Sequence, residues 1–174
     1  DTADMRSLTT SALRSLTSTQ LDAFTSDQLR ALSSTQVGAL TTDQISTLGT
    51  ADLNSLSTSQ FANLSTGQVQ ALSTTQLSNL GTDSLNALGT GQFAALSSGQ
   101  FGSLTTGQLS ALQTADLRAV STAALNALSS AQVAAIASDA VGALTTAQVG
   151  ALGTTQITGL TTGDMVALSS AQVA

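Results

Sequence analysis

The 174-residue sequence contains no cysteine, histidine, lysine, glutamate, proline, tryptophan or tyrosine. Cysteine and histidine are the usual ligands of zinc and haem, and only cysteine forms disulfides, so none of these three features is expected. Most acid–base and nucleophilic sites need a histidine, a cysteine or a lysine, and such sites would lack a member in this chain. We therefore expect no enzyme activity and no cofactor.

Charged residues are few and mostly acidic, since ten aspartates and four arginines give a net charge of −6 and a pI of about 4.1. A nucleic-acid-binding protein would carry a basic surface, so a nucleic-acid partner is not expected. The aspartates lack the clustered spacing of a calcium-binding loop, and no metal site is expected. No apolar run approaches the roughly 18 residues that a membrane-spanning helix needs. The mean hydropathy of +0.25, with leucines at fixed intervals, argues against a disordered chain.

An eight-residue repeat runs through the sequence without insertion or deletion, so every residue has a position from one to eight in its octad. Position eight is apolar in all 21 octads that reach it, and position five is apolar in all 22. Position two is always threonine or serine, and position four is glutamine in 14 of 22 octads and aspartate in four more. The sequence therefore predicts a single tandem array over residues 1–174, with 21 full repeats and a partial one.

Each octad carries the signals that begin a helix. The hydroxyl of Thr41 can accept a hydrogen bond from the backbone N–H of Gln44, and the Gln44 side chain can accept one from the N–H of Thr41. Thr145 and Gln148 form the same pair later in the chain. We expect these residues to cap helices, and each cap contributes about 0.5–2 kcal/mol to stability.

Glycine at position one predicts how a helix ends. Gly49, Gly81, Gly89 and Gly153 directly follow the apolar residue at position eight. A glycine in the left-handed conformation commonly lies just past the end of a helix. We therefore expect position one to close one helix and open the next, with helices of about six residues.

The octad favours an all-α solenoid, that is, a superhelix with one short capped helix in each repeat. In one continuous helix, eight residues would overshoot two turns by about 80°, so the leucine stripe would spiral into solvent. A β-solenoid is the remaining alternative, because a turn inside each rung could bring both apolar positions inward. Glutamine, alanine and leucine are poor strand formers, however, and a strand would leave the capping residues unexplained.

A six-residue helix is not stable alone in water, so positions five and eight must pack against other octads. The predicted core includes Leu40, Ile45, Leu48, Leu53, Leu80 and Leu85. Phe61 and Phe93 are 32 residues apart, which suggests four octads in each turn of the solenoid. The array has no polar end repeat, so we expect it to belong to a longer chain or to stack end to end with other copies.

The octad and the lysine-free composition, rich in threonine and serine, resemble the octapeptide-repeat regions of large secreted or surface proteins of bacteria, such as matrix and filament proteins. The resemblance covers all 174 residues. It implies a structural role and an extracellular or cell-surface location.

The leading functional hypothesis is a non-catalytic structural protein that forms a fibre, spacer or surface-matrix element by self-stacking. One alternative is an ice- or surface-binding protein that uses the regular threonine and serine array at position two. Another is a peptide- or protein-binding solenoid, whose candidate surface is formed by arginines at the variable position six, namely Arg6, Arg14 and Arg30. The hydroxyl groups are also candidate acceptors for O-linked glycans.

Overall fold

A computed structural model describes residues 1–173, and these residues form 22 short α-helices and no β-strand. Each helix is four to six residues long and begins at position two of its octad. The prediction of an all-α, solenoid-like repeat is therefore confirmed, and the β-solenoid alternative is wrong for the described residues.

The helix bounds follow the octads along the chain. The first eleven helices are α1 (Thr2–Met5), α2 (Thr10–Ser15), α3 (Ser18–Asp22), α4 (Ser26–Ala31), α5 (Ser34–Gly38), α6 (Thr42–Thr47), α7 (Thr50–Ser55), α8 (Thr58–Ala62), α9 (Thr66–Ala71), α10 (Thr74–Ser78) and α11 (Thr82–Asn86). The other eleven are α12 (Thr90–Ala94), α13 (Ser98–Gly102), α14 (Thr106–Ser110), α15 (Thr114–Ala119), α16 (Thr122–Leu125), α17 (Ser130–Ala134), α18 (Ser138–Gly142), α19 (Thr146–Gly150), α20 (Thr154–Ile157), α21 (Thr162–Ala167) and α22 (Ser170–Val173).

The junction between octads sets the helix boundaries. Thr41, at position one, has an extended backbone (φ −76°, ψ 161°), and its hydroxyl accepts a hydrogen bond from the backbone N–H of Gln44. This bond satisfies one of the N–H groups that every helix start leaves without a partner. Leu48, at position eight, returns to an extended backbone (φ −60°, ψ 135°) as α6 ends. Two extended residues thus separate α6 from α7.

The expected left-handed glycine at position one is wrong. Gly49 and Gly81 have φ values of −61° and −62°, and no glycine among the described residues has a positive φ. The extended residue at position eight has already ended the preceding helix, so a left-handed residue is not needed. These glycines instead lie at the N-cap, where they make no side-chain hydrogen bond.

Positions five and eight form the apolar core of the array. The core residues expected from the sequence are at most 5% exposed: Leu40, Ile45, Leu48, Leu53, Leu80 and Leu85. The largest side chains of position five, Phe61, Phe93 and Phe101, are fully buried. The phenylalanines therefore contribute to packing, and no bound ligand is needed to explain them.

The chain divides into two units, Asp1–Leu88 and Gly89–Ala174, and the boundary falls between two octads. Within each unit, a helix packs on the helix three octads later, as α3 does on α6 and α18 on α21. Side chains also reach backbone groups between 25 and 31 residues away. One turn within a unit therefore takes more than three octads and fewer than four. The 32-residue phenylalanine spacing suggested four, but it is only a multiple of the octad, since position five is apolar in every octad.

Two glycines in identical local sequences differ in the space around them, one being crowded and the other open. Alanine substitutions should therefore have different effects on stability at the two positions. Gly142 and Gly150 each end a five-residue helix within a Val-Gly-Ala-Leu segment. A Cβ atom on Gly142 would lie 2.7 Å from the backbone oxygen of Ala167, whereas one on Gly150 would meet nothing within 4 Å. We expect Gly142→Ala to destabilise the chain by about 1–3 kcal/mol through overpacking. We expect Gly150→Ala to stabilise it by about 0.4–1 kcal/mol.

Thermal and urea unfolding of the two variants, monitored by circular dichroism, measures both changes. Each variant is the control for the other, because the substitution and the helix position are the same. Free-energy changes of the same sign in both variants would contradict the packing of α18 against α21.

Candidate functional site

The glutamine at position four makes hydrogen bonds in two directions. The Oε1 atom of Gln44 accepts from the backbone N–H of Thr41 at 2.9 Å, and the Oγ1 atom of Thr41 accepts from the N–H of Gln44 at 3.2 Å. The Nε2 atom of Gln44 donates to the backbone oxygens of Leu13 and Leu16, both at 2.8 Å. One buried side chain therefore caps the start of its own helix and the end of a helix on the neighbouring turn.

This arrangement, which we call the glutamine junction, recurs through both units. Its Nε2 atom donates to the carbonyl 28 residues earlier and to a second carbonyl 30 or 31 residues earlier. Gln148 donates to Val120 at 2.8 Å and to Leu117 at 3.2 Å, while its Oε1 atom accepts from the N–H of Thr145 at 2.9 Å. Further glutamines that make these bonds include Gln36, Gln60, Gln68, Gln76, Gln132, Gln156 and Gln172.

The glutamine junction solves a problem that short helices create. Every helix leaves its last carbonyls without helical partners, and a helix of five residues consists almost entirely of ends. A buried carbonyl without a partner costs about 1–3 kcal/mol. The primary amide supplies an acceptor for the N-cap and two donors for the carbonyls of the preceding turn, and no other side chain in this chain except asparagine does both.

Sequence reasoning found the capping half of the glutamine junction and missed the half that joins two turns. A capping box accepts glutamate as readily as glutamine, because it uses only a side-chain oxygen. Yet the chain has 14 glutamines at position four and no glutamate anywhere. That preference was the signal that the amide nitrogen has a partner of its own.

Aspartate at position four lacks the donating half of the glutamine junction, and Asp164 retains the capping half. The Oδ2 atom of Asp164 accepts from the backbone N–H of Thr161 at 2.7 Å, while its Oδ1 atom is buried without a hydrogen-bond partner. Asp52 accepts instead from the hydroxyl of Ser26 at 2.8 Å. A carboxylate has no hydrogen to donate, so these aspartates cannot make the bonds that the glutamine amide donates to carbonyls of the preceding turn.

Asp116 also occupies position four, and burial raises the pKa of its carboxyl above the usual value of 3.8. Since the folded state then favours the protonated form, Asp116 lowers stability progressively as the pH rises above that value. We expect Asp116→Asn to raise the unfolding midpoint at pH 7 and to change it little at pH 3. Calorimetry across this range tests the expectation, and an equal shift at both pH values would contradict it.

Position six supplies a second tie between turns. Asn54 donates from Nδ2 to the backbone oxygen of Asn79 at 2.8 Å and accepts at Oδ1 from the N–H of Gly81 at 2.9 Å. Asn126 makes the equivalent bonds to Ala151 and Gly153 at 2.7 and 2.9 Å. Position six is therefore not simply a variable, exposed column.

The arginines of the proposed peptide-binding surface lie in this same column. The Nε atom of Arg6 donates to the backbone oxygen of Ala31 at 3.3 Å, which uses the side chain as a tie between turns. Arg14 and Arg30 are exposed.

Other candidate sites contribute little chemistry. Among residues 1–173, no group of three or more acidic side chains is placed to hold a metal ion. No helix in that range is long and apolar enough to cross a membrane. An open, mainly apolar pocket of about 320 Å³ is lined by residues that include Ile157, Met165 and Val173.

Comparison with known families identifies the repeat. A family model described as the ALTTAQ repeat matches six consecutive segments that together span the chain: residues 1–33, 28–50, 45–82, 78–114, 109–146 and 141–174. Residues 143–148 spell this motif literally, and they include the cap Thr145 and the junction residue Gln148. No curated protein matches the sequence significantly.

Proposed function

Because the chain belongs to the ALTTAQ repeat family, we propose that it is a non-catalytic structural protein. In this role the array forms a fibre, spacer or surface-matrix element by stacking solenoid units on one another. The proposal assigns no substrate and no cofactor to the chain.

The glutamine junction is the observation that carries this proposal. It uses the most frequent polar side chain at position four to join neighbouring turns, as Gln68 does to Val37 and Leu40 at 3.0 and 2.8 Å. The two apolar columns are likewise used for packing between octads. Because the polar and the apolar side chains both make contacts that repeat along the array, each added octad can use the same contacts as the one before it. Such an array can extend over a long distance, which is what a fibre or a spacer requires.

An extracellular or cell-surface location in a bacterium is part of the proposal. It is supported by the lysine-free composition, rich in threonine and serine, and by its resemblance to repeat regions of secreted bacterial proteins. Protease treatment of intact source cells, followed by detection with an antibody against the repeat, tests the location. An antibody signal that protease leaves unchanged in intact cells and removes only after lysis would contradict this location.

Negative-stain electron microscopy of the purified chain tests the structural role. We expect elongated particles that lengthen as the protein concentration rises. Dispersed particles of one length at every concentration would contradict self-stacking and leave only the spacer role. Rounded particles with no long axis would contradict the spacer role as well.

Ice or surface binding is a second candidate, and one observation favours it. The N-cap hydroxyls of position one are used within the chain, whereas most hydroxyls of position two, such as Thr82 and Thr106, are exposed and cap no helix. A regular column of exposed hydroxyls is a candidate surface for ordered water. Thermal hysteresis of the purified chain tests this function, and freezing and melting points that coincide would remove it.

A further inference from the structure

Asn63 is the one asparagine of this sequence that a serine or threonine follows two residues later. The segment reads Asn63-Leu64-Ser65, and asparagine, any residue except proline, and then serine or threonine is the acceptor sequence for N-linked glycans. An asparagine at position six cannot form this sequence, because position eight is always apolar. Asn79 shares position seven with Asn63, but Gly81 stands where Asn63 has Ser65.

The hydrogen bonding of Asn63 also sets it apart from other asparagines. The side-chain amides of Asn54, Asn79 and Asn126 donate to backbone oxygens at 2.8, 2.8 and 2.7 Å. The Asn63 side chain is exposed, and its amide makes no hydrogen bond among residues 1–173. N-linked glycosylation uses the amide nitrogen as the attacking atom. The asparagine in the acceptor sequence therefore has an amide that is available for reaction.

Asn63 is exposed although its helix packs on both sides. Helix α8 packs on α5 of the preceding turn and on α11 of the following turn. Asn63 is the C-cap of α8, with φ −96° and ψ 0°. Its backbone oxygen lies so near Gly38 that a Cβ atom on that glycine would be 2.8 Å away. Contacts between turns therefore fix the backbone of Asn63 and leave its side chain in solvent.

An open groove beside Asn63 offers a surface for the first sugar. It has a volume of about 420 Å³ and is lined by Thr10, Thr35, Gly38, Ala39 and Asn63. The hydroxyls of Thr10 and Thr35 make no hydrogen bond among the described residues. A hydroxyl can both donate to and accept from the hydroxyl groups of a sugar. The groove is thus polar and uncharged, which suits a carbohydrate.

We propose that Asn63 is the acceptor of an N-linked glycan, which a transferase supplies from a sugar activated at C1 by a diphosphate. The proposal rests on the extracellular or cell-surface location in the proposed function, because N-linked glycans are carried by secreted proteins. The Nδ2 atom of Asn63 attacks C1, and the Nδ2–C1 bond forms as the bond from C1 to the diphosphate oxygen breaks. The diphosphate leaves with the bonding electron pair, and Nδ2 loses one proton to a base of the transferase. Lipid-linked oligosaccharides and nucleotide sugars both carry this activation.

Four substitutions separate the acceptor sequence from the fold. Asn63→Gln removes the acceptor, and Ser65→Gly breaks the acceptor sequence at little cost in stability, since glycine is tolerated at an N-cap. Ser65→Thr retains both the acceptor sequence and a capping hydroxyl. Asn79→Gln is the matched control, because Asn79 is exposed at the same position of its octad but lies outside any acceptor sequence. Circular dichroism of each variant verifies that the helical array is retained.

Mass spectrometry of the chain purified from source cells measures the modification. Cleavage before aspartates gives a fragment of residues 52–82, which contains Asn63. We expect sugar on this fragment in the original sequence and in the Ser65→Thr and Asn79→Gln variants, and its complete loss in Asn63→Gln and Ser65→Gly. An amidase specific for N-linked glycans should release the sugar and convert Asn63 to aspartate. Addition of a single sugar would indicate a nucleotide sugar as the donor and addition of a block of sugars a lipid-linked oligosaccharide, and either result supports the proposal.

The outcomes separate this site from the broader function. A fragment without sugar in the original sequence would overturn the site, while protease treatment and electron microscopy still decide the location and the structural role. Sugar that remains in Asn63→Gln, or that the amidase does not release, would lie on hydroxyl groups and would also overturn the site. Sugar that persists in Ser65→Gly would show that the acceptor sequence is not recognised, with the same consequence. A glycosylated chain that is protected from protease in intact cells would overturn the location and leave the site standing.

Discussion

Replacing Gln44 with glutamate should destabilise the unit formed by residues 1–88 by about 3–5 kcal/mol. The glutamate would still accept from the N–H of Thr41, so the cap would be retained. The amide donor to the carbonyls of Leu13 and Leu16 would become a carboxylate oxygen facing two other oxygens in a site that is only 2% exposed. The result would be a buried charge without a partner, which is among the most costly single changes.

The same substitution at Gln28 is the matched control. Gln28 caps its helix through Thr25 at 2.8 Å but donates to no carbonyl on another turn among the described residues. We expect Gln28→Glu to change the free energy of unfolding by no more than about 0.5 kcal/mol. Urea unfolding at pH 7 gives both values.

The pH dependence of the Gln44→Glu variant provides a further check. Protonation of the introduced carboxyl group at low pH removes its charge and supplies one O–H donor for a carbonyl of the neighbouring turn. The difference in the free energy of unfolding between this variant and the unmodified chain should therefore become smaller as the pH falls. Equal losses in the Gln28→Glu and Gln44→Glu variants would contradict the assignment of the inter-turn bonds.

Leu80→Asp should be the most damaging change to the core of the same unit. Leu80 lies at position eight and is 4% exposed, so the substitution removes a buried apolar side chain and introduces a charge. Removal of a buried leucine alone costs about 2–5 kcal/mol, and burial of the charge adds to that cost. A globular domain is stable by only about 5–15 kcal/mol, and we expect several neighbouring octads to lose their helices.

Arg30→Ala is the contrasting change. Arg30 lies at position six with an exposed side chain, and the substitution should leave the free energy of unfolding within about 0.5 kcal/mol of that of the unmodified chain. Helix content from circular dichroism and thermal unfolding of both variants measures the difference. Similar losses in Leu80→Asp and Arg30→Ala would contradict the division of the octad into core and surface positions.

The local structure was predictable because its causes lie within one octad. The Thr41–Gln44 pair marks a helix start, and Leu48 eight residues after Leu40 marks a second core position, without reference to any distant residue. The left-handed Gly49 was a wrong prediction. Glycine tolerates both the left-handed and the extended conformation, so the sequence does not decide between them. In the structure the extended backbone of position eight already ends the helix, and a left-handed glycine is not needed.

Contacts between turns were not predictable from the octad. Every octad is nearly the same, so the sequence contains no marker that identifies which octad lies beside which. The number of octads per turn, more than three and fewer than four, is set by contacts such as the hydrogen bond from Gln44 to Leu16 and the close approach of Gly142 to Ala167. Both of these contacts form only when the helices of neighbouring turns pack against one another.

The sequence alone determined the repeat, the helix type, the capping residues and the two apolar columns, because hydrogen bonds and side-chain periodicity within eight residues decide them. Only the tertiary structure decided the second role of glutamine and the bonds that Asn54 and Asn126 make between turns. These features depend on carbonyls that lie about one turn away, and their positions exist only once the helices have packed.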